Sequence, residues 1–186
     1  MIDLIIKALW LMFPAYIPNS VAAIFGGGKP IDGGRFLKDG RRIIGDGKTY
    51  RGFFSGIFFG VLVGSIQIWL NSNGFEISGI DVPAFGQNYI YALKVVFALS
   101  CGSLLGDLFK SFFKRRMNFK RGAAFPLVDQ LDFVIGCWVF VYLISPEWFM
   151  SNFTPNVMII VLIITPMLHL GTNIIGYFIG IKKEPW

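Results

Sequence analysis

At 186 residues the chain has room for one ordinary domain, yet 54% of it is hydrophobic and only 15% is charged, against roughly 25% charged in a soluble domain. The apolar residues come in long, nearly uncharged runs, which excludes a single soluble core and points to an integral membrane protein. The net charge of +6 does not form a nucleic-acid face: 13 of the 17 Lys and Arg residues lie in residues 26–52 and 108–130, between apolar runs, so anionic lipids and phosphate compounds are the expected partners and nucleic acid is not.

Residues 2–25 are the first expected membrane segment and read as retained, not as a cleaved leader. Pro14 and Pro18 fall inside it, where each removes a backbone donor and crowds the preceding turn, so a kink or partial unwinding is expected beside Asn19. Residues 26–52 follow as a polar, glycine-rich loop with seven basic and three acidic residues, a composition able to wrap a polyphosphate. Gly47-Lys48-Thr49 supplies the end of a P-loop motif, but Arg42 stands where its first glycine belongs. Residues 53–70 carry no charge and are long enough to cross a bilayer, with Gly56, Gly60 and Gly64 forming a smooth strip for a close neighbour.

The loop 71–88 holds Glu76 and Asp81 but no Lys or Arg, which places it outside and the two basic loops, 26–52 and 107–132, inside. A third segment, 89–106, contains Lys94 and ends at Asp107, Lys110, Ser111 and Lys114, spaced to share one helical face. Asp129 and Asp132, three apart, open the fourth segment, 133–149, just after Pro126. They face a basic cluster that includes Arg115 and Arg116; capping by Asp129 and simple exposure of Asp132 are the competing roles. Asn152-Phe153-Thr154 fits a glycosylation sequon. The fifth segment, 156–180, holds Pro166, with His169 and Asn173 on one face, suited to an interhelical hydrogen bond or to substrate. Lys182-Lys183 puts the C-terminus inside. Cys101 and Cys137 each lie in an apolar run and read as packing residues. The expected fold is therefore all-α and polytopic, with five transmembrane helices, N-terminus outside and C-terminus inside.

The motifs, taken in order, resemble those of the archaeal CDP-archaeol synthase family. They are Pro18-Asn19; Gly28-Lys29-Pro30-Ile31-Asp32; Gly45-Asp46-Gly47-Lys48-Thr49 with Arg51-Gly52; Gly106-Asp107-Leu108-Phe109-Lys110-Ser111-Phe112 with Lys114-Arg115-Arg116; Pro126 with Asp129-Gln130-Leu131-Asp132; and an ending with His169, Asn173, Gly180, Lys182, Pro185 and Trp186. The resemblance covers essentially the whole chain and implies one membrane-embedded cytidylyltransferase domain, 1–186, related to the CDP-diacylglycerol synthases.

The resemblance implies Mg2+-dependent transfer of CMP from CTP to 2,3-bis-O-(geranylgeranyl)-sn-glycerol 1-phosphate in the cell membrane, with the active site facing the cytoplasm. Asp107, Asp129 and Asp132 are the expected ligands of one or two Mg2+ ions, with Asp46 a further candidate. Lys110, Lys114, Arg115 and Arg116 would hold the triphosphate or the acceptor phosphate, and Lys48 and Arg51 would close the other side; lysine offers a mobile point charge and arginine a fork. Asn19, Ser111 and Asp32 are candidate positioning residues. Partners are CTP, the isoprenoid glycerol-ether phosphate and membrane lipids; the oligomeric state is open, a homodimer included. A CDP-alcohol phosphotransferase is the first alternative, but its D-G-x-x-A-R and G-x-x-x-D-x-x-x-D signature is missing. A small transporter is the second, disfavoured because the charges gather at helix ends.

Overall fold

The computed structural model describes residues 1–119, 125 and 127–178. Pro126, Gly180, Lys182, Lys183, Pro185 and Trp186 therefore lie outside the described residues. The elements in order are α1 (Ile2–Ile24), α2 (Tyr50–Ser72), a two-residue hairpin of β1 (Glu76–Ile77) and β2 (Ile80–Asp81), α3 (Tyr89–Arg116), α4 (Val128–Ile144), α5 (Pro146–Asn152) and α6 (Pro155–Phe178). The hairpin pairs Glu76 with Asp81 across the turn of the acidic loop.

Four helices among the described residues, rather than the five expected, are long and apolar enough to cross a membrane: α1, α2, α3 and Pro155–Thr172 of α6. The difference lies in segment 133–149. Its helix begins earlier, at Val128, and stops at Ile144, because Pro146 has no amide to continue the ladder and instead starts α5. The 17 residues of α4 span about 25 Å at 1.5 Å per residue, short of a hydrocarbon core of about 30 Å.

Large apolar side chains point outward along the bundle, among them Phe13, Phe54, Phe58, Trp69, Ile135, Leu143 and Ile163. The interior holds Leu11, Met12, Val95, Leu99, Val134, Val141 and Val161, together with buried Gln67, Ser100, Ser103 and Thr165. Apolar outside and partly polar inside is the arrangement of a protein whose solvent is lipid. Cys101 and Cys137 are buried free thiols.

Glycines set the helix spacing. On α2, a Cβ at Gly56 would lie 2.7 Å from the Pro18 carbonyl oxygen, and one at Gly60 would lie 2.5 Å from Ser100 Oγ. A second strip joins α3 to α4: a Cβ at Gly106 would meet the Asp132 carbonyl oxygen at 2.3 Å, and one at Gly136 would meet Gly106 Cα at 2.5 Å. Only hydrogen fits between these backbones, so Asp107 and Asp132 are carried together by helix contact.

α1 remains helical through both prolines instead of unwinding. Pro14 leaves the Trp10 carbonyl without its helical donor, and Gln67 Nε2 supplies one at 2.9 Å. Pro18 does the same to the Pro14 carbonyl, which lies 3.2 Å from Ser100 Oγ, a hydroxyl whose one proton is shared with the Val96 carbonyl at 2.9 Å. Both replacements come from other helices, so the proline positions tie α1 to α2 and α3.

Candidate active site

Residues 9–24 of α1, the end of the polar loop, the start of α2, residues 104–110 of α3, the start of α4 and residues 165–172 of α6 surround a chamber of about 890 Å3. Its walls are largely apolar, with Leu9, Phe13, Ile17, Phe133 and Leu168 among them; Lys48, Asp107, Lys110, Asp129 and Asp132 form its charged part.

α3 continues past residue 106 as one helix to Arg116, so Asp107, Lys110 and Lys114 do share a face. Lys110 Nζ is the centre of the cluster: it lies 3.1 Å from Asp107 Oδ1, 3.0 Å from Asp132 Oδ2 and 3.5 Å from Asp129 Oδ1. Lys114 Nζ donates to both oxygens of Asp129, each at 3.1 Å. Lys48, reaching in from the polar loop, is paired with Asp107 Oδ2. Three carboxylates and three ammonium groups thus form one network across loop 26–49, α3 and α4.

Asp129 does have a local structural role, since its Oδ2 accepts the Phe125 amide at 2.8 Å and closes the turn into α4. Asp132 is not a surface residue: its side chain is 5% exposed. Burial pushes its carboxyl up to about 6, with Lys110 opposing the rise and the Asp107 charge adding to it. Its Oδ2 is near the Lys110 ammonium but off hydrogen-bonding geometry, and it has no hydrogen-bond partner.

The other expected site residues are placed differently. Asp46 is exposed, pairs with Arg42 Nη1 at 2.6 Å and is not among the residues that line the chamber. Arg115 turns to the loop, donating to the Ile44 carbonyl at 3.3 Å and the Phe119 carbonyl at 2.9 Å. It lines a separate cleft of about 300 Å3 with Arg41, Arg42 and Asp46. Arg116 also clasps the loop, reaching Asp39 Oδ2 and the Arg42 carbonyl at 2.5 Å each, while Arg41 Nη1 returns a bond to the Arg116 carbonyl at 2.6 Å. Arg51 is exposed in the first turn of α2, and Ser111 is half-buried on α3. Asn19 lines the chamber, donates to Ser103 Oγ at 3.2 Å and keeps its Oδ1 buried without a hydrogen bond. His169 lines the chamber as well.

Among the described residues no three His, Cys, Asp or Glu side chains already form a metal cage; the three aspartates surround an ammonium instead. The donors nonetheless suit a hard divalent cation in kind, being carboxylate oxygens only, one of them the buried Asp132 Oδ2, which has an ion pair to Lys110 but no hydrogen bond.

A family model described as "CarS-like: CDP-archaeol synthase" matches residues 1–186. The chain belongs to the CDP-archaeol synthase family. A CDP-archaeol synthase from Methanosarcina mazei is 69% identical over 94% of this chain and all of the relative. One from Halorubrum lacusprofundi is 44% identical over 99% of this chain and 98% of the relative. A solved structure described as an intramembrane enzyme for archaeal membrane lipids biosynthesis superposes with a TM-score of 0.72 at 32% identity, covering 90% of this chain and 92% of that one.

Within this CDP-archaeol synthase family member, three features escaped the reading of the sequence. Thr49 caps α2, its Oγ1 accepting the Gly52 amide at 3.2 Å, and its place just before an apolar run was the available signal. The Gly102 and Gly106 pair on α3 is spaced as a small-xxx-small contact, like the strip on α2. The pairing of Arg42 with Asp32, at 2.7 Å and side-chain exposures of 19% and 0%, had only the Asp-Gly-Gly turn as a hint.

Proposed function

We propose that the whole chain is one membrane-embedded domain that transfers CMP from CTP to 2,3-bis-O-(geranylgeranyl)-sn-glycerol 1-phosphate, giving a CDP-activated unsaturated archaeol and pyrophosphate. The observation that carries this reading is the network of three aspartates and three lysines at the polar end of an otherwise apolar chamber. The polar end fits phosphates, and the apolar walls fit isoprenoid chains that continue onto the lipid-facing helices. Basic residues crowd the same end, which supports its facing the cytoplasm, where CTP is found.

The acceptor is already a phosphate monoester, so a protein nucleophile is unnecessary. One of its oxygens attacks the α-phosphorus of CTP in line; the new phosphorus–oxygen bond forms as the bond to the β-phosphate oxygen breaks, and pyrophosphate carries away that electron pair. The chain's task is to align two anions and offset their repulsion. Lys110, Lys114 and Lys48, now held by carboxylates, have stems long enough to turn their ammonium groups to phosphate oxygens. The dry walls around Phe133 and Ile17 strengthen each such contact by excluding water. Asp107, Asp129 and Asp132 would hold Mg2+, which supplies charge neutralisation and orientation of the triphosphate.

The test is pyrophosphate release by purified protein in detergent with CTP, Mg2+ and the ether-lipid phosphate, beside mixtures lacking each component. Release coupled one-to-one to CDP-lipid is the expected result. Folded protein that forms no CDP-lipid in the complete mixture would overturn the assignment.

A further inference from the structure

We propose that Asp32 is a positioning residue for this reaction: its carboxylate folds the polar loop so that Lys48 is delivered to Asp107 at the polar end of the chamber. The role in catalysis rests on the function proposed above; the delivery of Lys48 does not.

Asp32 is the most heavily bonded side chain of the loop. Its Oδ1 accepts the Gly34 amide at 3.1 Å and Arg42 Nη2 at 2.7 Å; its Oδ2 accepts Arg42 Nε at 3.2 Å, the Ile44 amide at 3.0 Å and the Gly45 amide at 2.8 Å. A carboxylate, with two acceptor-only oxygens and about four lone-pair sites, gathers these five donors from four residues only by sharing a site on Oδ2; an asparagine, half of whose polar atoms are themselves donors, has no room for them. The side chain is wholly buried, so water cannot replace a lost bond.

From this hub the path to Lys48 is short and tied at each step. The Ile44–Gly45 peptide is gripped on one side by Asp32, which accepts the Gly45 amide, and on the other by Arg115, which donates to the Ile44 carbonyl. Gly45 sits at φ +113°, a conformation open to glycine and strained for other residues. Its carbonyl accepts the Lys48 amide at 3.4 Å, while the Lys48 carbonyl accepts the amide of Ile31, the neighbour of Asp32, at 2.9 Å. Lys48 is therefore anchored through both of its peptide groups to the chain that Asp32 organises. The next residue, Thr49, caps α2 and fixes the exit. Asp32 itself is absent from the chamber wall, so its influence passes through Lys48.

The experiment has two arms. In the first, detergent-purified protein is treated with a water-soluble amine-acylating ester, and modification of Lys48 is followed by mass spectrometry relative to exposed Lys38. Asp32→Asn is expected to raise Lys48 modification severalfold as its pairing with Asp107 is lost. Arg42→Gln, which removes the guanidinium but keeps the amide donors, is expected to do so less, and it stands in if Asp32→Asn does not fold. In the second arm, kcat/KM for CTP is measured for Asp32→Asn, Lys48→Met and the double variant. Each single change should lower it, and the double should be no worse than Lys48→Met alone, since a residue acting through Lys48 has nothing left to position. Unchanged Lys48 protection in the variants overturns the proposal, and so do additive losses in the cycle. If the wild type forms no CDP-lipid, the function proposed above fails while the acylation arm still decides whether Asp32 places Lys48.

Discussion

Gly106→Ala is the most direct way to ask whether helix contact sets the geometry of the acid cluster. The added methyl would lie 2.3 Å from the Asp132 carbonyl oxygen and 3.0 Å from Gly136 Cα, both backbone atoms that no rotamer change can move. An ordinary carbon–oxygen contact is about 3.3 Å, so α3 and α4 must part locally by about 1 Å. Asp107 follows Gly106 in sequence, and Asp132 carries the obstructing carbonyl, so the gap opens between the two carboxylates that share Lys110. Overpacking of this kind costs about 1–3 kcal/mol in stability, and a misplacement of about 1 Å at reacting groups costs about 100-fold in rate. The expected result is a lowered Tm with kcat for CDP-lipid formation down about 100-fold at saturating CTP and lipid. Gly171→Ala, whose added carbon meets nothing within 4 Å, is the control and should leave both readings near wild type. Full kcat in Gly106→Ala would refute the link between the glycine contact and the cluster.

Asp132→Asn preserves volume while removing a buried charge next to Lys110; CMP transfer should be lost with the Tm retained, and normal transfer at saturating Mg2+ would remove Asp132 from the site. Thr49→Ala deletes the α2 cap and should cost about 1 kcal/mol, read as a fall of roughly 2–4 °C in Tm. Asp32, though burial would raise its pKa, is held well below the usual carboxylate range by Arg42 and by the amides of Gly45, Ile44 and Gly34. A depressed folded-state pKa gives stability that is present above the unfolded value of about 3.9 and is lost as pH falls toward the folded value. Lys48 should therefore stay protected from hydrogen–deuterium exchange at its amide at pH 6 and pH 5 and lose protection only below about pH 4; loss already at pH 5 would contradict the burial and pairing of Asp32.

What was legible in the sequence was whatever is written as period or run. Uncharged stretches marked the long helices, and three- and four-residue steps put Asp107, Lys110 and Lys114 on one face. The end of α4 was misread because a run of apolar residues continues across Pro146, and hydropathy does not register the missing amide that divides the run into α4 and α5. Basic residues were legible as a cluster but not as individuals. Lys48 reaches Asp107, whereas Arg115 and Arg116 turn to the loop's carbonyls, a choice set by a loop fold that local composition does not encode.

The two carbonyls released by Pro14 and Pro18 bear on how the protein is assembled. α1 precedes its rescuers in the chain, so on first entering the bilayer it carries two exposed acceptors in hydrocarbon, each costing several kcal/mol until a donor arrives. Gln67 arrives with α2 and Ser100 only with α3, giving each later helix a polar reason to dock against the first. An α1 inserted alone should dwell at the interface or await its neighbours, so biogenesis of the bundle favours concerted over one-by-one partitioning.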